Sequence, residues 1–328
     1  PGVVRTLFIG GGTPTVLTPK QTGRLLKAVR EHFPDWSENV ECTVEANPGT
    51  VDSEKLYALR EGGVNRLSFG AQSFDDGLLA AIGRIHSSED VFRSIEKARA
   101  AGFTNLSIDL IFGLPNQTVA QLDKTLDLAL SLDLPHYSVY SLKIEEHTLF
   151  HTLYERGELP LPDEEEEWAM FRLVTDRLRG AGYGQYEISN FARNGCESRH
   201  NTVYWRNESY YGLGAGAHGY VRGVRHVNVK GVQPYIDATR RGLPVLERRE
   251  VTEREAMEDF MMVGLRLLKG VTRADFRDQF DRELEDVFGE TLVRLARQGL
   301  IEETGDGGRL SEAGIPYGNE VFGGFLEI

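Results

Sequence analysis

A chain of 328 residues that is 40% hydrophobic has material for a main domain and a smaller one. No apolar run nears the ~20 residues of a membrane-spanning helix, and Pro1 leads within three residues into a strand-like run with no charged and apolar leader, so a cytoplasmic location is expected. Its 37 Lys and Arg against 50 Asp and Glu leave a net charge of -13, which argues against broad capture of nucleic acid.

In chain order, apolar and β-branched runs predict strands at 4–9, 40–46, 66–70, 106–110 and 137–142. Helical patterns at 19–33, 53–61, 88–101 and 119–132 separate them, so repeated βα units around a parallel sheet are expected. Thr18 before Pro19, and Asp52 ahead of Lys55, supply side-chain oxygens for unpaired first-turn amides. Gly62, Gly63 and Gly102 stand where helices stop. An amphipathic helix at 163–182 opens on Glu164 to Glu167, an acidic run that the helix dipole favours and solvent accommodates. Strand-like pieces at 184–189, 202–205 and 219–229 suggest a small β-rich extension. Helices at 253–268, 272–280 and 283–298, then a hairpin at 300–310, resemble a winged-helix module, which the acidic balance makes a lid or docking piece rather than a DNA reader. The expected division is 1–182, 183–245 and 246–328.

A parallel barrel collects polar groups at the carboxyl ends of its strands. Five strand ends carry candidates here: Gly10 to Thr13, Glu45 with Asn47, Gln72, Asp109 and Lys143. The glycines let a ligand approach the backbone, with the Thr13 hydroxyl beside them. The loop lacks the Lys-Ser/Thr ending of a nucleotide P-loop and the spacing of a dinucleotide fingerprint. Glu45 and Asp109 suit an ammonium or a ribose diol, Gln72 a carboxylate or ribose, and Arg84 a carboxylate. Strand-end capping and salt bridging are the structural alternatives.

The runs Gly10-Gly11-Gly12-Thr13-Pro14-Thr15, Glu45-Ala46-Asn47-Pro48-Gly49, Leu67 to Phe74, Gly83-Arg84-Ile85-His86 and Asp109 to Pro115 resemble the radical S-adenosylmethionine family of oxygen-independent coproporphyrinogen III oxidases and their relatives. The resemblance runs in order along essentially the whole chain. It implies an α/β fold, a partial (β/α)6 TIM-like barrel missing its first strand, with a β-rich extension and a C-terminal helical, winged-helix-like domain. It also implies that Gly11, Gly12, Thr13, Glu45, Gln72, Arg84 and Asp109 contact S-adenosylmethionine. Members of that family hold a 4Fe-4S cluster through a CxxxCxxC run on the loop after the first barrel strand. The chain carries two cysteines, Cys42 and Cys196, far apart, so the cluster ligands are expected upstream of residue 1. Reductive cleavage of S-adenosylmethionine is not expected without them. Cys42 reads as a small buried hydrophobe, and the 4–9 strand is expected to present an unpaired, aggregation-prone edge.

The set His200-Asn201-Thr202-Val203-Tyr204-Trp205 is similar to the HNxxYW motif of the HemW-type haem-chaperone branch. A neutral His200 nitrogen can ligate haem iron, Asn201 can orient the ring or a propionate, and Tyr204 and Trp205 offer flat apolar surface. The competing reading is a strand start with a satisfied histidine and two core aromatics. Cys196, four residues before His200, is a weaker alternative ligand, and His218 is the next histidine to test. The expectation is a haem chaperone passing haem to acceptor proteins, respiratory ones among them, with a homodimer left open. The alternatives are coproporphyrinogen III oxidation and a plain TIM-barrel enzyme binding phosphate.

Overall fold

The computed structural model describes residues 2–326, in two compact units that divide between His200 and Asn201. In the first, β1 (Val4–Ile9), β2 (Trp36–Ala46), β3 (Arg66–Gln72), β4 (Asn105–Phe112) and β5 (His136–Ser141) lie side by side, all parallel. Helices α1 (Pro19–His32), α2 (Ser53–Glu61), α3 (Asp76–Ala81), α4 (Ser88–Ala100), α5 (Val119–Ser131), α6 (Leu149–Glu155) and α7 (Glu164–Gly180) follow the strands in turn. The hairpin β6 (Gly184–Glu187) and β7 (Asn190–Ala192) completes a seven-stranded sheet, with β7 antiparallel to β5. Residues 184–189, expected in a separate extension, are thus part of the main sheet, because the 190–192 backbone pairs with the open side of β5. This is the expected partial barrel, with β1 at its edge.

Local chemistry sets the helix boundaries. Thr18 with Gln21, Ser87 with Asp90, Thr118 with Gln121 and Asp163 with Glu166 form reciprocal capping boxes. Asp52 accepts from the Lys55 amide at 2.7 Å. The acidic run fills the first turn of α7, and Glu167 also accepts from the Ser141 hydroxyl at the end of β5.

Strand alternation decides what each sheet face carries. Cys42, Val44 and Ala46, then Leu67, Phe69 and Ala71, then Leu106, Ile108 and Leu110 are buried in a core with Leu56, Val91, Ile95, Leu122 and Leu126 of the helices. Complete burial of a side chain such as Phe69 contributes ~1.5–3 kcal/mol. The residues between them, Glu41, Thr43, Glu45, Arg66, Ser68, Gly70, Ser107 and Asp109, occupy the opposite, inner face. Barrel interiors are ordinarily filled by branched apolar layers; here that face is polar.

Helix α8 (Arg199–Trp205) spans the unit boundary. The second unit holds the sheet β10-β9-β8, made of β8 (His218–Val221), β9 (Val224–Asn228) and β10 (Val245–Glu250), together with α9 (Val232–Thr239). It continues with α10 (Glu253–Gly264), β11 (Val271–Thr272), α11 (Arg273–Phe280), α12 (Leu284–Arg297), β12 (Ile301–Glu303), β13 (Gly307–Leu310) and α13 (Gly318–Gly323). Helices α10 to α12 with the β12–β13 hairpin match the expected winged-helix-like arrangement. Phe260, Phe276, Phe288 and Phe325 pack edge-on at its centre, with centroids 5.5–6.1 Å apart.

Candidate functional site

Three loops meet at the carboxyl end of the parallel strands. Gly11 and Gly12, with φ of 81° and 121°, hold left-handed backbone that glycine adopts without strain, and the Gly11 amide donates to Glu45 Oε2 at 3.1 Å. A side chain on Gly10 would place its Cβ 2.6 Å from that oxygen and 2.5 Å from Phe8 Cε1. Asn47 bridges the loops: its Nδ2 donates to Thr13 Oγ1 at 2.9 Å and its Oδ1 accepts from Arg84 Nη1 at 3.2 Å. Register slips between Phe69 and Gln72, and Gln72 takes φ of 64° at the strand end, an uncommon conformation for a residue other than glycine. Around the space left by the absent Gly70 side chain, Gln72 Nε2, Asn47 Oδ1 and Arg84 Nη1 lie 2.9, 3.5 and 3.9 Å from where a Cβ would stand. His86 pins the Arg84 loop through a hydrogen bond between its Nε2 and the Ala71 carbonyl at 3.1 Å. Since a carbonyl only accepts, Nε2 carries the proton.

The structure thus joins Gly11 to Glu45, and Thr13 to Asn47 and Arg84, with Gln72 beside them. Asp109 is placed differently from expectation. Strand β4 continues to Phe112, so Asp109 lies within it on the inner face, accepting from Ser68 Oγ at 3.1 Å. Lys143 stands outside the cluster, exposed and 2.9 Å from Glu145. Burial pushes the Glu45 and Asp109 carboxyls up; the Gly11 amide opposes this at Glu45, and Ser138 and Ser68 oppose it at Asp109. Burial also lowers Arg84, against the pull of Asp109.

His200 closes the other end of the inner face. Its ring stacks on Phe8, centroids 5.1 Å apart at 15°, and Nδ1 is 2.9 Å from Thr6 Oγ1. Burial, aided by the charge of Arg66, lowers its pKa to about 4, so the imidazole is neutral at physiological pH. Residues 199–205 form a helix, where a strand was expected at 202–205. The two oxygens of buried Glu41 each accept at 2.9 Å from the amides of Arg199 and His200, a cap from β2 that overrides the β preference of Val203, Tyr204 and Trp205. Further round, Ser107 Oγ meets His136 Nδ1 at 2.7 Å, His136 Nε2 meets the Tyr186 hydroxyl at 2.8 Å, and that hydroxyl accepts from the Ser198 amide at 3.2 Å. Within the second unit, Tyr204 packs edge-on to Tyr210 at 4.7 Å and Arg266 lies 4.4 Å over the Trp205 ring. Both aromatics therefore have packing partners within that unit. Asn201 is half-buried on α8, and His218 is exposed on β8.

Glu41, Arg66, His136 and Tyr186 were missed by inspecting strand ends alone. Polar residues alternating with apolar ones along predicted parallel strands were the signal for the first three.

Residues 1–129 match the Radical SAM superfamily model, and residues 251–317 match the HemN C-terminal domain. The haem chaperone HemW of Bacillus subtilis is 48% identical over 324 residues, covering 98% of this chain and 86% of the relative. The chain belongs to the HemW haem-chaperone family. The Escherichia coli member is 35% identical over 330 residues, covering 98% and 84%. A mitochondrial radical S-adenosyl methionine domain-containing protein 1 of Bos taurus is 36% identical over 319 residues, covering 91% and 70%. Among solved structures, the coproporphyrinogen III oxidase HemN of Escherichia coli superposes with a TM-score of 0.83 at 25% identity, covering 98% of this chain and 77% of that one.

S-adenosylmethionine and a 4Fe-4S cluster belong to the radical SAM superfamily generally. The strand-end cluster fits the first: the spaces beside Gly10 and Gly70 are lined by a carboxylate, a guanidinium and two amides. The cysteines of this chain do not fit the second. Cys42 is buried on the helix-facing side of β2 with its thiol pushed up to about 11, and no group of three or more His, Cys, Asp or Glu placed to hold a metal occurs among the described residues. No helix among them is long and apolar enough to cross a membrane.

Proposed function

We propose that this HemW-family chain binds haem through His200 and passes it to acceptor proteins, respiratory ones among them, from the cytoplasm. The observation that carries the reading is the state of His200: a neutral ring, stacked on Phe8 with Nδ1 2.9 Å from Thr6 Oγ1, is in the protonation state from which an imidazole ligates iron. Asn201, Tyr204 and Trp205 follow on the same helix. Tyr204 and Trp205 serve this reading by fixing the helix through their packing. S-adenosylmethionine occupies the strand-end cluster in this proposal, and its sulfonium is the chemistry it brings. Arg84 takes its carboxylate, Glu45 its ammonium, Gln72 and Asp109 its ribose, and Gly11, Gly12 and Thr13 line its approach.

The likeness to HemN supports a second reading, oxidation of coproporphyrinogen III propionates. A haem titration followed by absorption spectroscopy separates the two. Stoichiometric binding with a Soret shift, lost in His200→Ala, is expected. Unchanged binding in the variant removes His200 as ligand, and no binding by either protein together with coproporphyrinogen turnover replaces the chaperone reading by the oxidase one.

A further inference from the structure

One row across the inner face holds three buried polar atoms with no hydrogen-bond partner among the described residues: Thr43 Oγ1, Arg66 Nε and Asn105 Oδ1. Register sets Phe8 opposite Thr43, Thr43 opposite Arg66, and Arg66 opposite Asn105. Thr43 is fully buried and Arg66 is 3% exposed. A guanidinium withdrawn from water is costly to keep unless its donors meet an anion. Both oxygens of Glu41 accept from the first amides of α8, and Asp109, which accepts from Ser68, attracts the Arg66 charge without a hydrogen bond to its Nε. Arg66 lies two strand spacings, about 10 Å, from Phe8, the ring on which His200 stacks. A porphyrin spans that distance with its iron at one point and its acidic substituents at the other.

We propose that Arg66, with the Thr43 hydroxyl beside it, is a carboxylate-binding site on the inner face of the half-barrel, and that it takes a propionate of the haem whose iron His200 ligates. The proposal rests on the haem-binding reading and adds to it the feature of the porphyrin that is recognised. A planar fork of donors suits a carboxylate, and Thr43 adds a third donor.

The test is a comparison of haem with its dimethyl ester, titrated into the full chain and into Arg66→Gln, Arg66→Lys and His200→Ala. The wild type is expected to favour the free acid about tenfold, as charge-assisted bonds of this type give. Arg66→Gln should lose that preference while binding the ester as the wild type does, and Arg66→Lys should keep part of it. His200→Ala should weaken acid and ester alike, leaving their ratio unchanged. Equal binding of acid and ester by the wild type overturns the carboxylate site and leaves the haem reading standing, and needs no variant to fold. A preference that survives in Arg66→Gln also overturns it. Binding of neither compound by the wild type overturns the haem reading itself. Metal-free coproporphyrin against its tetramethyl ester, followed by quenching of intrinsic fluorescence, then decides the carboxylate site by the same ratio.

Discussion

Replacing Glu41 by alanine should unseat the start of α8 at a cost that can be worked out from the geometry. The side chain is 6% exposed, and each oxygen accepts one amide of that helix at 2.9 Å. A hydrogen bond to a charged group contributes ~1.5–3 kcal/mol, and loss of an N-cap costs ~0.5–2 kcal/mol. The two bonds share one carboxylate and are not additive, so Glu41→Ala is expected to cost about 3 kcal/mol. Glu41→Gln keeps one acceptor and should cost roughly half as much. For a unit of this size ~2–4 °C is lost per kcal/mol, so Tm should fall by roughly 6–12 °C in the alanine variant. Urea unfolding followed by far-UV circular dichroism measures the first quantity, and a thermal scan the second. Amide exchange at Arg199 and His200 should accelerate in parallel. An alanine variant within ~0.5 kcal/mol of wild type, the range of an inert surface change, would show that the cap does not hold the helix and refute the reasoning.

Further outcomes are expected from the same geometry. Because His200 titrates near 4 when folded against 6.5 when free, the folded chain binds fewer protons between those values. Its contribution is complete above pH 6.5 and is lost as pH falls toward 4, by up to ~3 kcal/mol. Denaturation of wild type and His200→Gln at pH 7.5 and 4.5 should therefore show the wild type losing more, and parallel losses would count against a buried neutral ring. Cys42 is buried with a thiol pushed up to about 11, while Cys196 is half-exposed. A thiol reagent at pH 8 should modify one cysteine per native chain and two after denaturation, and rapid modification of both in the native state contradicts the placement of Cys42. Gly10→Ala brings a methyl group to 2.6 Å from Glu45 Oε2. The same methyl stands 2.5 Å from Phe8 Cε1, so that ring must shift as well; calorimetric titration should show weaker binding of S-adenosylmethionine, and unaltered affinity would exclude Glu45 from the site.

The βα order was legible because apolar runs mark the strands and the helical patterns between them, two of them with caps read at Thr18 and Asp52, while the short capped helices α3 and α6 were not read. Thr18, Asp52, Ser87 and Thr118 act within three residues of themselves, a range over which sequence and structure correspond closely. Strand-end residues were legible for a similar reason: in a parallel sheet the end of a strand is also the edge of a site. The misreadings share one physical origin. Helix α8 is started by Glu41, 158 residues away from Arg199, and the β6–β7 hairpin joins the main sheet because β5, some fifty residues earlier, pairs with its 190–192 strand. Asp109 was placed too near a strand end because the apolar Leu110, Ile111 and Phe112 continue the strand past it.

The period-two pattern carries a further consequence for how the two ends of the inner face are related. On β2, Glu41, Thr43 and Glu45 all point inward, so one strand both anchors α8 and contributes to the strand-end cluster, with about 13 Å between the two carboxylates at 3.3 Å per residue. Its other residues, Cys42, Val44 and Ala46, are locked into the helix-facing core, so β2 cannot shift at one end without disturbing that packing. A register slip of one residue would exchange the two sets and bury three polar side chains beneath the helices. The same constraint acts on β3, where Arg66 and Gly70 share the inner face while Leu67, Phe69 and Ala71 are fully buried on the other. Rigid strands of this kind fix the distance between two polar centres, and the fixed distance makes the ratio of acid to ester affinity a sharper test than affinity alone. A substitution that merely loosens the barrel weakens both ligands together, whereas removal of a carboxylate partner changes one and spares the other.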